Sequence, residues 1–129
     1  MRIIIAPLAL LLASPLAAQD APAQAAPAPT IESLTLEQAT SLRCSVAFAA
    51  VAQGQEAGDP RATAHPPMEQ RGEEFFVRSM ARLMDELSLD RAQIEALTVS
   101  VAEDMLGKGI EEVERVMPGC LLLLEASGI

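Results

Sequence analysis

Cys44, Cys120 and His65 are the residues in this chain whose types most readily do chemistry. The two cysteines stand 76 positions apart, without the C-x-x-C spacing of a redox pair, and both fall on apolar stretches of helical period. Arg43 beside Cys44 could lower a thiol pKa, but an even pair of cysteines in an exported chain is most simply one disulfide. That bridge would join the first helix to the last. His65 has no Cys or His at metal-ligand spacing, and no G-x-S-x-G or related signature gives it a nucleophile to activate. Met80 and Met84 are one helical turn apart, with Met68, Met105 and Met117 elsewhere, a set that could offer soft ligands to Cu(I). The commoner use of such methionines is to fill irregular gaps in a core. No catalytic residue, metal site or cofactor is expected, and the chain reads as a non-enzyme.

The elements that must position these residues come from one small domain. The chain has 129 residues, 18 acidic against 9 basic side chains, a net charge of −9, no Trp or Tyr and three Phe. Such a chain lacks the basic patches and stacking platforms that nucleic acid requires. Residues 1–18 read as an export signal: Arg2, an apolar run from Ile3 to Ala13 broken by Pro7, and small residues leading to cleavage after Ala18. Loss of Arg2 with the signal takes the net charge to −10. Residues 19–30, with Pro22, Pro27 and Pro29 among alanines, read as a solvated linker, and 31–129 as the helical domain. No later stretch is long and apolar enough for stable membrane insertion, so the mature protein is expected in the periplasm or secreted.

The domain reads as all-α, a compact bundle of four to five helices. Thr35 and Gln38 have the form of a capping box opening a first helix to about Gln55, which Gly54, Gly58 and Asp59-Pro60 end. Residues 56–66 are expected as a loop. Pro66-Pro67 should lead into a second helix whose stripe is Met68, Gly72, Phe76, Met80, Leu83 and Leu87, with Gly72 marking a close approach by another helix. A second capping box, Asp90 with Gln93, opens a third helix from Arg91 to Gly107. Ile110–Met117 forms a short fourth helix, and Pro118 either kinks it or begins a fifth. Because Leu121 to Leu124 cover every face of a helix, that last segment is expected in the middle of the domain.

Charge patterning marks the candidate partner surface. Glu74 and Arg78 are an i, i+4 pair, and Arg78, Arg82 and Glu86 continue the stripe. Glu111, Glu112 and Glu114 cluster at the start of a helix, where the dipole favours negative charge. These residues form either a solvated face or a docking surface for another periplasmic protein.

The segments 42–49, 69–78, 81–86 and 116–121 together resemble a group of small exported helical proteins of alphaproteobacteria, a group with no assigned function. The resemblance covers most of residues 36–125 and implies export and a helical fold without implying an activity. In size, compartment and cysteine count the chain is also similar to periplasmic acid-stress chaperones and to immunity proteins of secreted amidases. The immunity proteins' tyrosine-containing motif has no counterpart here. The expected function is a non-enzymatic interaction or structural module; the alternatives are an acid- or envelope-stress chaperone and an inhibitor or immunity protein.

Overall fold

The computed structural model describes residues 26–129. The expected signal at 1–18 and the linker as far as residue 25 lie outside the described residues. Five α-helices are present among those described: α1 (Leu36–Glu56), α2 (Pro60–Thr63), α3 (Glu69–Leu87), α4 (Arg91–Gly107) and α5 (Ile110–Ala126), preceded by a 3-10 turn at Ile31–Ser33. The end of the proline-rich stretch lies against the domain, with the Ala26 carbonyl accepting a hydrogen bond from Gln93 Nε2 at 2.9 Å and Ala28 and Pro29 half-buried.

Both capping boxes form. Thr35 Oγ1 accepts from the Gln38 amide and Gln38 Oε1 from the Thr35 amide, at 3.2 and 3.0 Å. Asp90 and Gln93 repeat the exchange at 2.8 and 2.9 Å. α3 stops at Ser88, whose φ of 52° is left-handed, and the Leu89 amide closes the turn on the Met84 carbonyl.

The central element is α1, which packs on each of the other four helices. From Leu42 to Phe48 every residue except Arg43 is buried, so this helix is enclosed on nearly all sides. Small residues make that possible: Cys44, Ser45 and Ala47 let neighbours approach, and Gly72 of α3 meets Phe48, where an added Cβ would lie 3.1 Å from the Phe48 Cβ. The expected close approach at Gly72 is therefore present. Gly54 serves the same purpose for α2, because a Cβ there would sit 2.6 Å from the Cβ of Ala62. Gly54 lies inside α1 rather than ending it.

On α3 and α5 three expectations are corrected. The leucine run is not the middle of the domain: α5 is an outer helix that turns Val113, Met117, Cys120 and Leu124 inward, leaving Leu122 exposed. Pro118 does not begin a separate helix: α5 runs unbroken from Ile110 to Ala126 with Pro118 inside it, on the exposed side. On α3 the core aromatic is Phe75, not Phe76, so the buried stripe is Gly72, Phe75, Ser79 and Leu83, with Phe76 and Met80 half-buried.

The segment between α1 and α3 is also more ordered than a loop. Asp59 caps the single turn of α2, and Pro66-Pro67 stay outside α3, which begins at Glu69. Gln55 organises this segment. Its Nε2 donates toward the carbonyls of Ala62 (3.0 Å), His65 (3.2 Å) and Pro66 (2.9 Å), and its Oε1 accepts from the Met68 amide at 2.9 Å. A helix start without a side-chain cap of its own is thereby satisfied from α1, and the Met68 side chain is fully buried.

The expected bridge joins α1 to α5: Cys44 and Cys120 form a disulfide with Cα atoms 5.2 Å apart. Both cysteines are buried within the core. Among the described residues no helix is long and apolar enough to cross a membrane.

Candidate functional site

Antiparallel packing of α1 with α3 and α5 leaves a groove at the N-terminal end of α1. Gln38 of α1 reaches Glu86 near the end of α3, whereas Gln55 reaches Met68 at its start, so the two helices run in opposite directions. α5 is likewise antiparallel to α1: Arg61, just beyond the end of α1, pairs with Glu111 at the start of α5, and Cys44 bonds Cys120 further along. α5 ends at Ala126, and the space beside its last turn is a groove of about 770 Å³.

Three short stretches line it. From α1 come Leu36, Thr40 and Ser41; from α3, Phe75, Ser79 and Leu83; from α5 and the residues after it, Leu123, Ala126 and Ile129. Phe75, Ser79 and Leu83, four residues apart, lie on one face of α3, as do Leu123 and Ala126 on α5. Phe75 is fixed edge-on against Phe48, ring centres 5.2 Å apart, and Ser41 Oγ donates to Ser79 Oγ at 3.0 Å. Ser45 Oγ donates in turn to the Ser41 carbonyl, which ties the serine pair to the core. Leu36 stands at the mouth, the first residue of α1, and is 85% exposed.

The rim is charged with both signs. Arg82 bridges α3 to α1 by pairing with Glu37 at 3.0 Å while holding Glu86 of its own helix at 2.6 Å. Gln38, already part of the capping box, donates to the other oxygen of Glu86. The Arg82 hydrogen bond, followed by that of Gln38, holds the Glu86 carboxyl below its ordinary range, and Glu86 and Glu37 raise the Arg82 guanidinium. Arg78 pairs with Glu74, as the i, i+4 spacing predicts. At the far wall Arg71 donates to the Ile129 carbonyl oxygen at 2.8 and 3.1 Å and pairs with Glu125, seating the end of α5 on α3.

No family model, curated protein or solved structure matches this chain.

The candidate surface residues divide into two groups. Arg78 and Arg82 belong to the groove. Glu111, Glu112 and Glu114, in the first turns of α5, lie toward the other end of α1, a helix of 21 residues that spans roughly 30 Å. There Arg61 pairs with Glu111 at 3.2 Å and approaches Glu114 at 4.0 Å, while Arg115 pairs with Glu112. The Glu111 carboxyl is held low by its own backbone amide and then by Arg61, and Glu112 chiefly by Arg115. This acidic cluster is thus partly neutralised from within, and it helps to fasten α2 to α5.

Among the remaining candidates, His65 lines a shallow cleft with Gln55 and Glu69, and its carbonyl accepts from Gln55. No three His, Cys, Asp or Glu side chains among the described residues are grouped to hold a metal ion. Met68, Met105 and Met117 are buried core residues, and the Met80 sulfur lies 3.3 Å from the Thr98 hydroxyl. Sequence reasoning missed Leu36, Ser41, Ser79 and Gln55. Ser79 had a usable signal, since it falls four residues from both Phe75 and Leu83; Leu36 had one in being a large apolar residue directly after a cap.

Proposed function

We propose that this chain is an exported, non-enzymatic interaction module whose contact face is the groove between α1, α3 and the end of α5. The observation that carries this reading is the groove's composition: an apolar floor from three helices, an exposed leucine at its mouth and ion pairs along its rim. Protein interfaces have that anatomy, an apolar centre within a polar border. Export is supported by the signal pattern at residues 1–18, by the resemblance to small exported helical proteins, and by a buried disulfide, which belongs in an oxidising compartment.

The test is site-specific photocrosslinking in the periplasm, with a photoreactive residue at position 36 and, as control, at Ala96 on the exposed side of α4. Protein adducts from position 36 and none from position 96 are expected. Absence of adducts at position 36, or the same adducts from both positions, overturns the reading.

A further inference from the structure

We propose that the occupant of the groove is a second copy of this chain, with Leu36 of each protomer seated in the groove of the other. This rests on the reading of the groove as the contact face and supplies its partner.

Shape favours a second copy. Leu36 projects from the mouth of the groove it also lines, so an apolar knob and an apolar hole lie side by side on one face. A two-fold axis passing between them lets each copy give its leucine and receive the other's, the self-complementary arrangement that a symmetric dimer requires. Exposed apolar surface continues beside the groove: Leu122, 74% exposed, stands one turn before the groove residue Ala126 on α5. Removing that surface from water favours association.

Charge favours it as well. The chain carries twice as many acidic as basic side chains, so two copies repel one another through most of their surfaces. The groove is lined by two arginines, Arg78 and Arg82, and two glutamates, Glu37 and Glu86, and is locally balanced. An anionic amphiphile entering there meets the glutamates and a basic helix meets the arginines. A second copy brings the same balanced set, already paired within each chain, so this face is where two acidic chains meet with least repulsion.

The experiment is analytical ultracentrifugation of the mature full chain over roughly 1–300 µM, a range that resolves a micromolar dissociation constant. A reversible monomer–dimer equilibrium is expected. Leu36→Glu should weaken it by about ten- to a hundredfold, as loss of a buried leucine implies, and Leu106→Glu on α4 should leave it unchanged. Ala126→Arg, on a different groove wall, is the second variant, and circular dichroism checks that each variant remains folded. A chain that stays monomeric throughout, or a dimer indifferent to both groove variants, overturns the proposal. Photocrosslinking from position 36 separates the two levels. Adducts of twice the chain mass support the dimer; adducts with another protein only, from a monomeric chain, overturn the dimer and keep the interaction face; no adducts overturn both.

Discussion

Replacing Gln55 tests whether a single amide organises the whole α1–α3 connection. Its NH2 group has two protons for three carbonyls, those of Ala62, His65 and Pro66, so it supplies two full bonds and shares the third, while Oε1 holds the Met68 amide. Three hydrogen bonds at about 1 kcal/mol each bound the loss near 3 kcal/mol. Water can replace those at the exposed end, around Pro66, so Gln55→Ala should cost about 1.5–3 kcal/mol in urea unfolding. Gln55→Glu is the sharper variant. It keeps the acceptor for Met68, loses both donors and sets a carboxylate against carbonyl oxygens, so its folded-state pKa is raised. A group of that kind contributes most below its unfolded pKa, and the contribution disappears as pH rises through the folded pKa. The deficit of Gln55→Glu relative to the native chain should therefore be large at pH 7 and shrink as the solution is acidified toward the ordinary carboxylate range. Hydrogen exchange at the Met68 amide should accelerate in Gln55→Ala but much less in Gln55→Glu. Equal stability of Gln55→Glu and the native chain at pH 7, or a deficit that does not change with pH, would refute the assignment of these bonds.

Two further outcomes follow from the same structure. Reduction of Cys44–Cys120, which closes a loop over a sequence separation of 76, should lower unfolding free energy by up to about 4.5 kcal/mol on the chain-entropy argument, read as a shift in the urea midpoint between oxidised and reduced protein. Acid should weaken the native chain: Glu86, Glu111 and Glu112 have folded pKa values below their ordinary range, so their contribution is present above the unfolded pKa and is lost as pH falls through the folded values. Unfolding midpoints measured downward from pH 6 should fall within and below the usual glutamate range, and replacing all three by Gln should flatten that dependence.

Much of the fold was legible because local chemistry and global packing agree. Thr35/Gln38 and Asp90/Gln93 form their boxes, α4 runs over the residues its pattern predicts, and the cysteines pair. The failures occur where periodicity carries no directional information. Around α1 nearly every position from Leu42 to Phe48 is buried, so no stripe distinguishes inside from outside, and the helix that became central looked like any other. At Leu121 to Leu124 the reverse holds: four leucines in succession suggested enclosure, yet only Leu124 is fully buried. Hydrophobicity alone does not decide which all-apolar segment takes the centre. The small side chains of Cys44, Ser45 and Ala47 do, since they permit neighbours at close range on several sides.

The candidate site was legible in its charges and not in its shape. The i, i+4 spacing of Glu74, Arg78, Arg82 and Glu86 identified one wall, but a groove also depends on where a neighbouring helix stops. Ala126 at the end of α5 and Ile129 beyond it form one wall, and Arg71 fixes that end by holding Glu125 and the Ile129 carbonyl. The same reasoning explains why Ser79 sits in an apolar stripe: with Ser41 it forms a small, self-satisfied polar contact that brings α1 and α3 close without filling the space in front of them. A leucine at position 79 would bury more surface locally and project into the groove. The small residue on the floor therefore helps to keep the groove open, and it can be changed independently of the core that supports it.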